Sequence, residues 1–228
     1  MSSNTTLPLV VAIDGVLGSG KSTVARLVAQ ALDIGYLDTG AMYRAIGLAA
    51  SRKNVDSANI GALTELATTS VIDVANAAVG PARVVLDGDD VTVEIRTAEA
   101  AKMASAVATI PGVRAELVRR QREWVSARGG GVLEGRDIAT VVFPDAAVKV
   151  FLTASIDERV RRRHLESPEM TEQQVRDDLI WRDGNDASRA ADPLRVADGA
   201  TVIDTTGVAI DDVVATIVRL ATSGVSGE

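Results

Sequence analysis

The chain has 228 residues and a formal net charge of −7 at pH 7, and 46% of its residues are hydrophobic but only 3% aromatic. This length fits one α/β domain with insertions, while the negative charge argues against broad binding to nucleic acid or to anionic membranes. The sequence has no cysteine, which excludes disulfides and thiol chemistry, and no apolar stretch is long enough to span a membrane, so we expect a cytoplasmic protein.

The first predicted elements are a strand, a glycine-rich turn and a helix. The apolar run at 9–13 precedes GVLGSGKS at 15–22, which matches the P-loop pattern GxxxxGK[ST] at every fixed position. A helical pattern then runs from 22 to 32. Because P-loops occupy this strand–turn–helix context, we interpret the turn as a triphosphate site rather than as a chance glycine-rich turn.

Each part of this turn has a chemical role. Its backbone N–H groups would surround phosphate, Lys21 would reach the β- and γ-phosphates, and the Ser22 hydroxyl would bind Mg²⁺. No second carboxylate for the metal stands out in the sequence, so we expect phosphates and water to complete its coordination. The residues predicted to bind the triphosphate are Gly15, Val16, Leu17, Gly18, Ser19, Gly20, Lys21, Ser22 and Thr23.

After the first helix, a strand is predicted at 34–37 and helices at 41–53 and 60–69. Between 71 and 96 the pattern changes to short β-prone runs separated by turn sequences. Those runs are residues 71–74, 83–86 and 91–95. Because no crossover helix separates them, they cannot join a parallel sheet and instead predict a small antiparallel insert.

The second half of the chain returns to alternating strands and helices, which predicts a parallel, doubly wound sheet. Capping boxes are predicted at Ser155 with Glu158 and at Thr171 with Gln174. The predicted strands are 132–134, 147–152 and 200–204, and the predicted helices include 98–109, 113–127 and 213–220. The glycines at 129–131 are predicted to break a helix. Residues 183–193 are predicted to form a polar loop, and residues 223–228 a disordered tail.

Polar residues follow the carboxyl ends of the predicted strands, where parallel sheets bind ligands. Asp38, Thr39 and Arg44 follow the second strand, and Arg136 and Asp137 follow the third. Two arginines beside a P-loop exceed what one triphosphate requires, so they predict a second, phosphorylated substrate.

An acceptor phosphate oxygen is already anionic near neutral pH, so transfer to it needs no general base. The only histidine, His164, lies in an arginine-rich helix away from every predicted strand end. We therefore interpret it as a surface or hinge residue.

Five stretches of the chain together resemble bacterial cytidylate kinases. They are residues 15–22, 37–44, 88–97, 133–145 and 181–189. The sequence EGRDIATVVFPDA and the β-rich insert are more specific than the P-loop, and the resemblance runs in order along nearly the whole chain. It implies an enzyme that transfers the γ-phosphoryl group of ATP to CMP or dCMP with Mg²⁺.

The resemblance also implies one kinase domain with three regions. The expected fold is a P-loop NTPase-type parallel sheet of five strands with an antiparallel insert and a helical lid. The core comprises about 7–55, 129–155 and 195–222, the nucleoside monophosphate insert about 56–128 with its β-rich part at 71–96, and the lid about 156–190. We expect the enzyme to be a monomer whose partners are ATP and CMP or dCMP, without nucleic acid or membrane.

The acceptor phosphate would contact Arg44, Arg136 and Arg189, by resemblance, with Thr39 and Tyr43 lining the same pocket. All five positions carry groups that bind or border phosphate.

Cytosine would be read by Ser105, Arg114 and Asp137, by the same resemblance, and the sugar by Arg182 and Asp186. A carboxylate suits this task because the exocyclic amine of cytosine is a donor, whereas uracil presents a carbonyl at that position.

The lid helix of the family carries arginines over the ATP phosphates. The arginines at the matching place here are Arg159, Arg161, Arg162 and Arg163. We favour Arg159 and Arg163, which share a helix face, and together with Lys21 and Arg136 they form the predicted catalytic set.

Other interpretations stay open from sequence alone. Asp137 could cap the following helix, Arg114 could be a solvated helix residue, and Ser105 could simply pack. For the whole chain, the alternatives are a P-loop kinase for another small acceptor, such as another nucleotide or shikimate, and a GTP-binding switch. The absence of an N-K-x-D sequence argues against the switch.

Overall fold

Five parallel strands form the central sheet, in the order β2-β6-β1-β7-β8. They are β1 (Leu9–Gly15), β2 (Tyr36–Asp38), β6 (Gly130–Gly135), β7 (Val148–Thr153) and β8 (Thr201–Asp204). The computed structural model describes residues 8–75, 82–189 and 191–223. The parallel, doubly wound sheet predicted from the alternation of strands and helices is confirmed.

Helices flank this sheet in the described part of the chain. They are α1 (Lys21–Ala31), α2 (Thr39–Arg52), α3 (Ile60–Thr69), α4 (Ala98–Val107), α5 (Pro111–Arg128), α6 (Ile156–Glu166), α7 (Glu172–Ser188) and α8 (Ile210–Ser223). Helices α1 and α8 pack together beside β6 and β7, α2 packs on α4, α3 on α5, and α6 on α7. No helix among these residues is both long enough and apolar enough to cross a membrane.

The register of the central strands brings their carboxyl ends together. Asp14 of β1 lies opposite Gly135 of β6, and Asp38 of β2 lies opposite Glu134 of β6. Gly15, which begins the P-loop, lies opposite Leu152 of β7. The segments that follow β1, β2 and β6 therefore share one edge of the sheet, as the sequence predicts.

The antiparallel insert is also confirmed, but its last strand was predicted in the wrong place. The insert consists of β3 (Ile72–Ala75), β4 (Arg83–Leu86) and β5 (Asp89–Asp90). Residues 91–95 are not a strand, and a 3₁₀ turn occupies Glu94–Arg96. The reason is that side chains replace strand partners here: Thr92 N donates to Asp90 Oδ1 at 3.0 Å and Val84 N donates to Thr92 Oγ1 at 2.9 Å.

Of the three glycines at 129–131, only the first ends the helix. Gly129, with φ of 69°, ends α5 in the left-handed conformation that favours glycine, but the next two residues already belong to β6. A Cβ on Gly131 would lie 2.6 Å from the Trp124 ring, so this strand residue must lack a side chain for the helix to pack on the sheet.

The predicted capping boxes have different outcomes. Thr171 and Gln174 form the complete box at the start of α7. At the start of α6, Ser155 Oγ accepts from Glu158 N, but the Glu158 carboxylate instead pairs with Arg161 and Arg162. Only half of the capping box at Ser155 is therefore formed, because two guanidinium groups outcompete a single backbone N–H for the Glu158 carboxylate.

The predicted polar loop at 183–193 is largely wrong, because α7 continues to Ser188. Its polar residues stay helical because they have partners on the inner side: Asp183 pairs with Arg159 and Asp186 pairs with Arg136. At the C-terminus, Ser223 still belongs to α8. The rest of the predicted disordered tail, 224–228, lies outside the described residues.

Candidate active site

The P-loop is held in a folded conformation by its own hydrogen bonds. Lys21 Nζ donates to Val16 O at 2.7 Å, and Ser19 Oγ donates to the same oxygen at 2.9 Å. Gly20 caps α1 with φ of 89°, a conformation that side chains rarely adopt. A Cβ on Gly15 would lie 2.0 Å from Leu152 O, so only glycine allows this approach to β7. The loop is therefore preorganised to surround an anion.

Lys21 is buried close to charged groups at the ends of β1 and β6. Burial lowers the pKa of its ammonium group, and the positive charge of Arg136 lowers it further, while Glu134 and Asp14 oppose the shift. A buried cation of this kind would be stabilised by a phosphate chain, whose negative charge would favour the protonated form.

Glu134, at the end of β6, contacts the predicted metal ligand. Ser22 Oγ donates to Glu134 Oε1 at 2.6 Å, and the side chain of Glu134 is buried. Burial raises the pKa of this carboxyl group, and the neighbouring Asp38 charge raises it further. The sequence predicts no role for Glu134, whose one signal is its position as an acid at the end of a strand that precedes Arg136 and Asp137.

The end of β2 is tied to both β6 and α2. Thr39 Oγ1 donates to Glu134 O at 2.7 Å, and Asp38 Oδ1 caps α2 by accepting from Ala41 N at 2.9 Å. The second oxygen of Asp38 pairs with Arg44 Nη2 at 2.7 Å. Arg44 Nε is buried without a hydrogen-bond partner. The predicted Thr39 and Arg44 therefore lie together, and the buried Nε of Arg44 remains as a donor for a ligand.

Two further predicted phosphate-binding arginines meet at one carboxylate. Arg136 Nε donates to Asp186 Oδ2 at 2.6 Å, and Arg189 Nη2 lies 3.5 Å from Asp186 Oδ1. The Nε and Nη2 of Arg189 are buried and make no hydrogen bond. Buried donors without partners are uncommon, so this cluster points to an anion as its missing partner.

The predicted base-reading residues are only partly brought together. Arg114 Nη2 makes a short hydrogen bond to Asp137 Oδ2, and both side chains are buried. Arg114 is thus not a solvated helix residue, and Asp137 makes no cap hydrogen bond to the turn that follows it. Ser105 Oγ instead donates to Ala101 O within α4 rather than to either of the other two.

Asp14 makes the cap that the sequence suggested for Asp137. Its two carboxylate oxygens accept from Ile138 N and Ala139 N, each at 2.8 Å, at the start of the π-helical turn Ile138–Val142. Burial raises the pKa of Asp14 to about 6, although the two backbone hydrogen bonds oppose the shift. Asp14 therefore joins the strand before the P-loop to the segment that carries Arg136 and Asp137.

The residues predicted to bind the sugar are not paired with each other, whereas Tyr43 lies near other predicted site residues. Arg182 Nε pairs with Asp178 at 3.0 Å, whereas the Asp186 carboxylate pairs with Arg136, so the two predicted sugar-binding side chains have different partners. Burial raises the pKa of Tyr43, and the charges of Arg114, Asp137, Arg189 and Asp192 all act on its hydroxyl, which therefore lies near residues predicted to bind the base and the phosphate.

The four arginines of α6 that are predicted to belong to a lid differ in their surroundings. Arg159 is buried, donates to Leu17 O of the P-loop at 3.2 Å and pairs with Asp183 at 2.6 Å. Arg162 Nη2 donates to Thr205 O at 2.7 Å, and Arg163 pairs with Glu166 at 2.9 Å.

Arg161 pairs with Glu158 on the exposed side of α6. His164, predicted to be a surface or hinge residue, is half-buried in the last turn of α6, and its Nδ1 has no hydrogen-bond partner.

A cavity of about 490 Å³ extends from the P-loop between α6 and the segment after β8. Its lining includes Thr23, Arg162, Leu165, Val208, Ile210 and Val213. The mixture of apolar side chains and an arginine beside the P-loop suits the base and sugar of a nucleoside triphosphate. The sequence does not predict this pocket, because residues 205–209 contain no motif that indicates nucleotide binding.

The comparisons of the sequence with known proteins agree on one family. The sequence matches the family described as cytidylate kinase over residues 11–223. A cytidylate kinase from Pelotomaculum thermopropionicum is 47% identical over 218 residues, covering 94% of this chain and 96% of the relative. A second, from Solibacter usitatus, is 44% identical over 224 residues and covers 96% and 94%. An uncharacterized protein structure from Eubacterium ventriosum has a TM-score of 0.55 at 13% identity, covering 95% and 99%, and supports the fold alone.

Proposed function

Because the chain belongs to the cytidylate kinase family, we propose that it transfers the γ-phosphoryl group of ATP to CMP or dCMP. The products are ADP and CDP or dCDP. The observation that carries this proposal is the set of buried arginine donors without partners, on Arg44 and Arg189, beside a preformed P-loop. A site for ATP alone would leave these buried arginine groups without a ligand.

ATP binds with its phosphates in the P-loop and its base in the cavity beside α6. The backbone N–H groups of residues 15–23 and Lys21 hold the phosphate chain, and Arg159 and Arg163 approach it from the lid. Arg159 already contacts the loop through Leu17 O. These fixed charges stabilise the negative charge that develops on the moving phosphoryl group.

CMP binds with its phosphate between Arg44, Arg136 and Arg189, next to Thr39. Its arrival replaces Asp186 as the partner of Arg136, which frees that carboxylate to accept from the sugar hydroxyls beside Arg182. The acceptor oxygen attacks the γ-phosphorus in line and the β–γ bridging oxygen leaves with ADP. No general base is required, since the acceptor is already anionic.

Mg²⁺ fits the oxygen donors at the end of β6. Ser22 Oγ and the Glu134 carboxylate lie 2.6 Å apart, and hard oxygen ligands are those that Mg²⁺ prefers. Among the described residues no cluster of three His, Cys, Asp or Glu side chains forms a complete metal cage. Phosphates and water would therefore complete the coordination, and the bound ion would neutralise the β- and γ-oxygens.

The recognition of cytosine and the roles of the core, the insert and the lid follow from the same proposal. Asp137 accepts from the exocyclic amine of cytosine, with Arg114 and Ser105 near the ring.

The chain acts as one kinase domain with core, insert and lid at the boundaries given above. Closure of the lid and the insert excludes water, which would otherwise hydrolyse ATP.

Initial rates with ATP and a panel of acceptors test this function. We expect CMP and dCMP to be phosphorylated, with UMP, AMP and shikimate much poorer substrates, in an assay that couples ADP release to a colour change. Equal rates on AMP or shikimate, or GTP binding without acceptor-dependent turnover, would reject the proposal in favour of another P-loop function.

Arg136→Ala provides the first test of the acceptor site. We expect kcat/KM for CMP to fall by about 10²–10³, the usual cost of removing a group that stabilises transferring charge. Arg219→Ala, an exposed arginine on α8, is the matched control and should leave the rate unchanged. Near-normal activity of Arg136→Ala would remove this residue from the site.

A further inference from the structure

Arg114 is shared between two carboxylates in this chain. Besides its contact with Asp137, its Nε donates to Asp192 Oδ2 at 2.7 Å, and its Nη2 lies 2.7 Å from the same oxygen. A third donor, Nη1, is directed at Ala108 O at 3.4 Å. We call Arg114, Asp137 and Asp192 the base cluster.

Asp192 is placed to act at the acceptor base. It follows α7, its side chain is about one-third exposed, and its charge reaches the buried hydroxyl of Tyr43 together with those of Asp137 and Arg114. Its backbone has a φ of 52°, in the left-handed region that Asp tolerates better than most residues. The chain therefore adopts an uncommon conformation while Asp192 faces Arg114.

The charge balance of the base cluster depends on Asp192. Asp137 and Arg114 alone would cancel, leaving a neutral ion pair beside the base. With Asp192 on the same guanidinium, the base cluster carries a net charge of −1, because two carboxylates share one cation. Arg189 is the other cation acting on Tyr43, and it is directed at Asp186, as described above.

A negative cluster distinguishes the two pyrimidine bases. The exocyclic amine of cytosine presents a partial positive charge to Asp137, whereas uracil presents a carbonyl oxygen with a partial negative charge at the same place. In a buried pocket, an additional negative charge strengthens the first interaction and the second repulsion. The effect needs no contact between Asp192 and the substrate.

We propose that Asp192 is a specificity-determining residue, which sets the net negative charge of the base cluster through Arg114 and so favours CMP over UMP. This inference rests on the proposed function of the chain as a CMP kinase. Asp192 is a positioning and charge-setting residue rather than a catalytic one, because it acts through Arg114.

The test compares kcat/KM for CMP and for UMP in the full chain and in Asp192→Asn. These substrates share phosphate and ribose, so their ratio isolates the base. Asn keeps the size and tolerates the left-handed backbone while it removes the charge. We expect the CMP-to-UMP ratio to fall about tenfold, from poorer use of CMP and better use of UMP.

Two more variants make the result decisive. Asp192→Gly, which relaxes the backbone and removes the carboxylate, should lower the ratio similarly. Asp198→Asn removes an exposed acid nearby in sequence and should leave the ratio unchanged. The inference is overturned if Asp192→Asn keeps the original ratio, if both substrates lose activity equally, or if Asp198→Asn has the same effect.

The same measurements separate this inference from the proposed function. If the unsubstituted chain does not phosphorylate CMP, the function fails. If it prefers CMP and the Asp192 variants keep that preference, only the role of Asp192 fails.

Discussion

Glu134 illustrates how a single residue joins the parts of this site. Its side chain accepts from the Ser22 hydroxyl while its main-chain oxygen accepts from Thr39. One residue of β6 thus contacts both the P-loop helix and the segment that leads to Arg44. Such a contact is invisible in sequence, since residues 22, 39 and 134 are far apart along the chain.

Glu134→Gln should weaken the response to Mg²⁺. The amide keeps the shape but lacks the negative charge that orients Ser22 and attracts the ion, so we expect the half-saturating Mg²⁺ concentration to rise about tenfold. Initial rates across a Mg²⁺ titration at saturating ATP and CMP measure this. Glu123→Gln, on the exposed side of α5, is the control; a superimposable Mg²⁺ curve for Glu134→Gln would contradict the assignment.

Asp14 predicts a pH dependence of stability. Its pKa is raised from 3.8 to about 6 by burial, so the folded chain binds an extra proton between these values. Its contribution to the free energy of unfolding is complete below pH 4 and is lost as the pH rises through 6. The difference corresponds to about 3 kcal/mol.

Urea unfolding of the unsubstituted chain and of Asp14→Asn at several pH values tests this. Because Asn does not titrate, subtracting the two curves removes the other groups. We expect the stability of the unsubstituted chain relative to Asp14→Asn to fall between pH 4 and pH 6.5. A difference that does not change with pH would show that Asp14 titrates normally.

Helix pairs fix the geometry of the insert at the scale of elements. Helix α2 starts at the carboxyl end of β2 and crosses α4 closely, and Gly47 lies at the crossing. A Cβ there would lie 2.9 Å from Ala104 N and 3.2 Å from Met103 C. Since these are backbone atoms, neither helix can relax by moving a side chain.

Gly47→Ala should therefore destabilise the chain although alanine favours helices. We expect a loss of about 1–3 kcal/mol in the free energy of unfolding, as for other overpacked sites. The matched control is Gly184→Ala on the exposed side of α7, where no atom lies within 4 Å and a gain of about 0.5–1 kcal/mol is expected. Urea unfolding measures both, and a stabilised Gly47→Ala would refute the tight crossing.

At the scale of the whole molecule, the buried apolar residues of the described ranges form two clusters. The larger one covers both the sheet and the insert. The smaller one joins α6 and α7 through Val160, Val175 and Leu179, with Leu17 of the P-loop packed against it. Helices α6 and α7 therefore share a small core of their own, which contacts the P-loop through Leu17.

Leu179→Ala should loosen the lid more than the sheet. We expect faster amide hydrogen exchange in α6 and α7 and a raised KM for ATP, with β1 and β6 still protected. Leu133→Ala, at an equally buried position in β6, should instead lower global stability by about 2–5 kcal/mol. Uniform loss of protection in both variants would show that the lid and the sheet unfold as one unit.

The sequence by itself determined the order of the elements, the P-loop and the edge of the sheet at which the site lies. These features are local: a run of apolar residues, a glycine pattern and the residues after each strand suffice to predict them. The same local reasoning failed at 91–95 and 183–193, where Thr92, Asp183 and Asp186 find partners that are not adjacent in the chain.

Only the tertiary structure decided how the charged groups are paired. Arginine and aspartate are frequent throughout the sequence, and spacing cannot tell which carboxylate a guanidinium will meet. The folded chain brings Glu134 to Ser22, Asp14 to the turn after Asp137, and Asp192 to Arg114. Because electrostatic interactions depend on distance and burial, both of which the fold sets, the charge pairs of the candidate site are visible only in the folded chain.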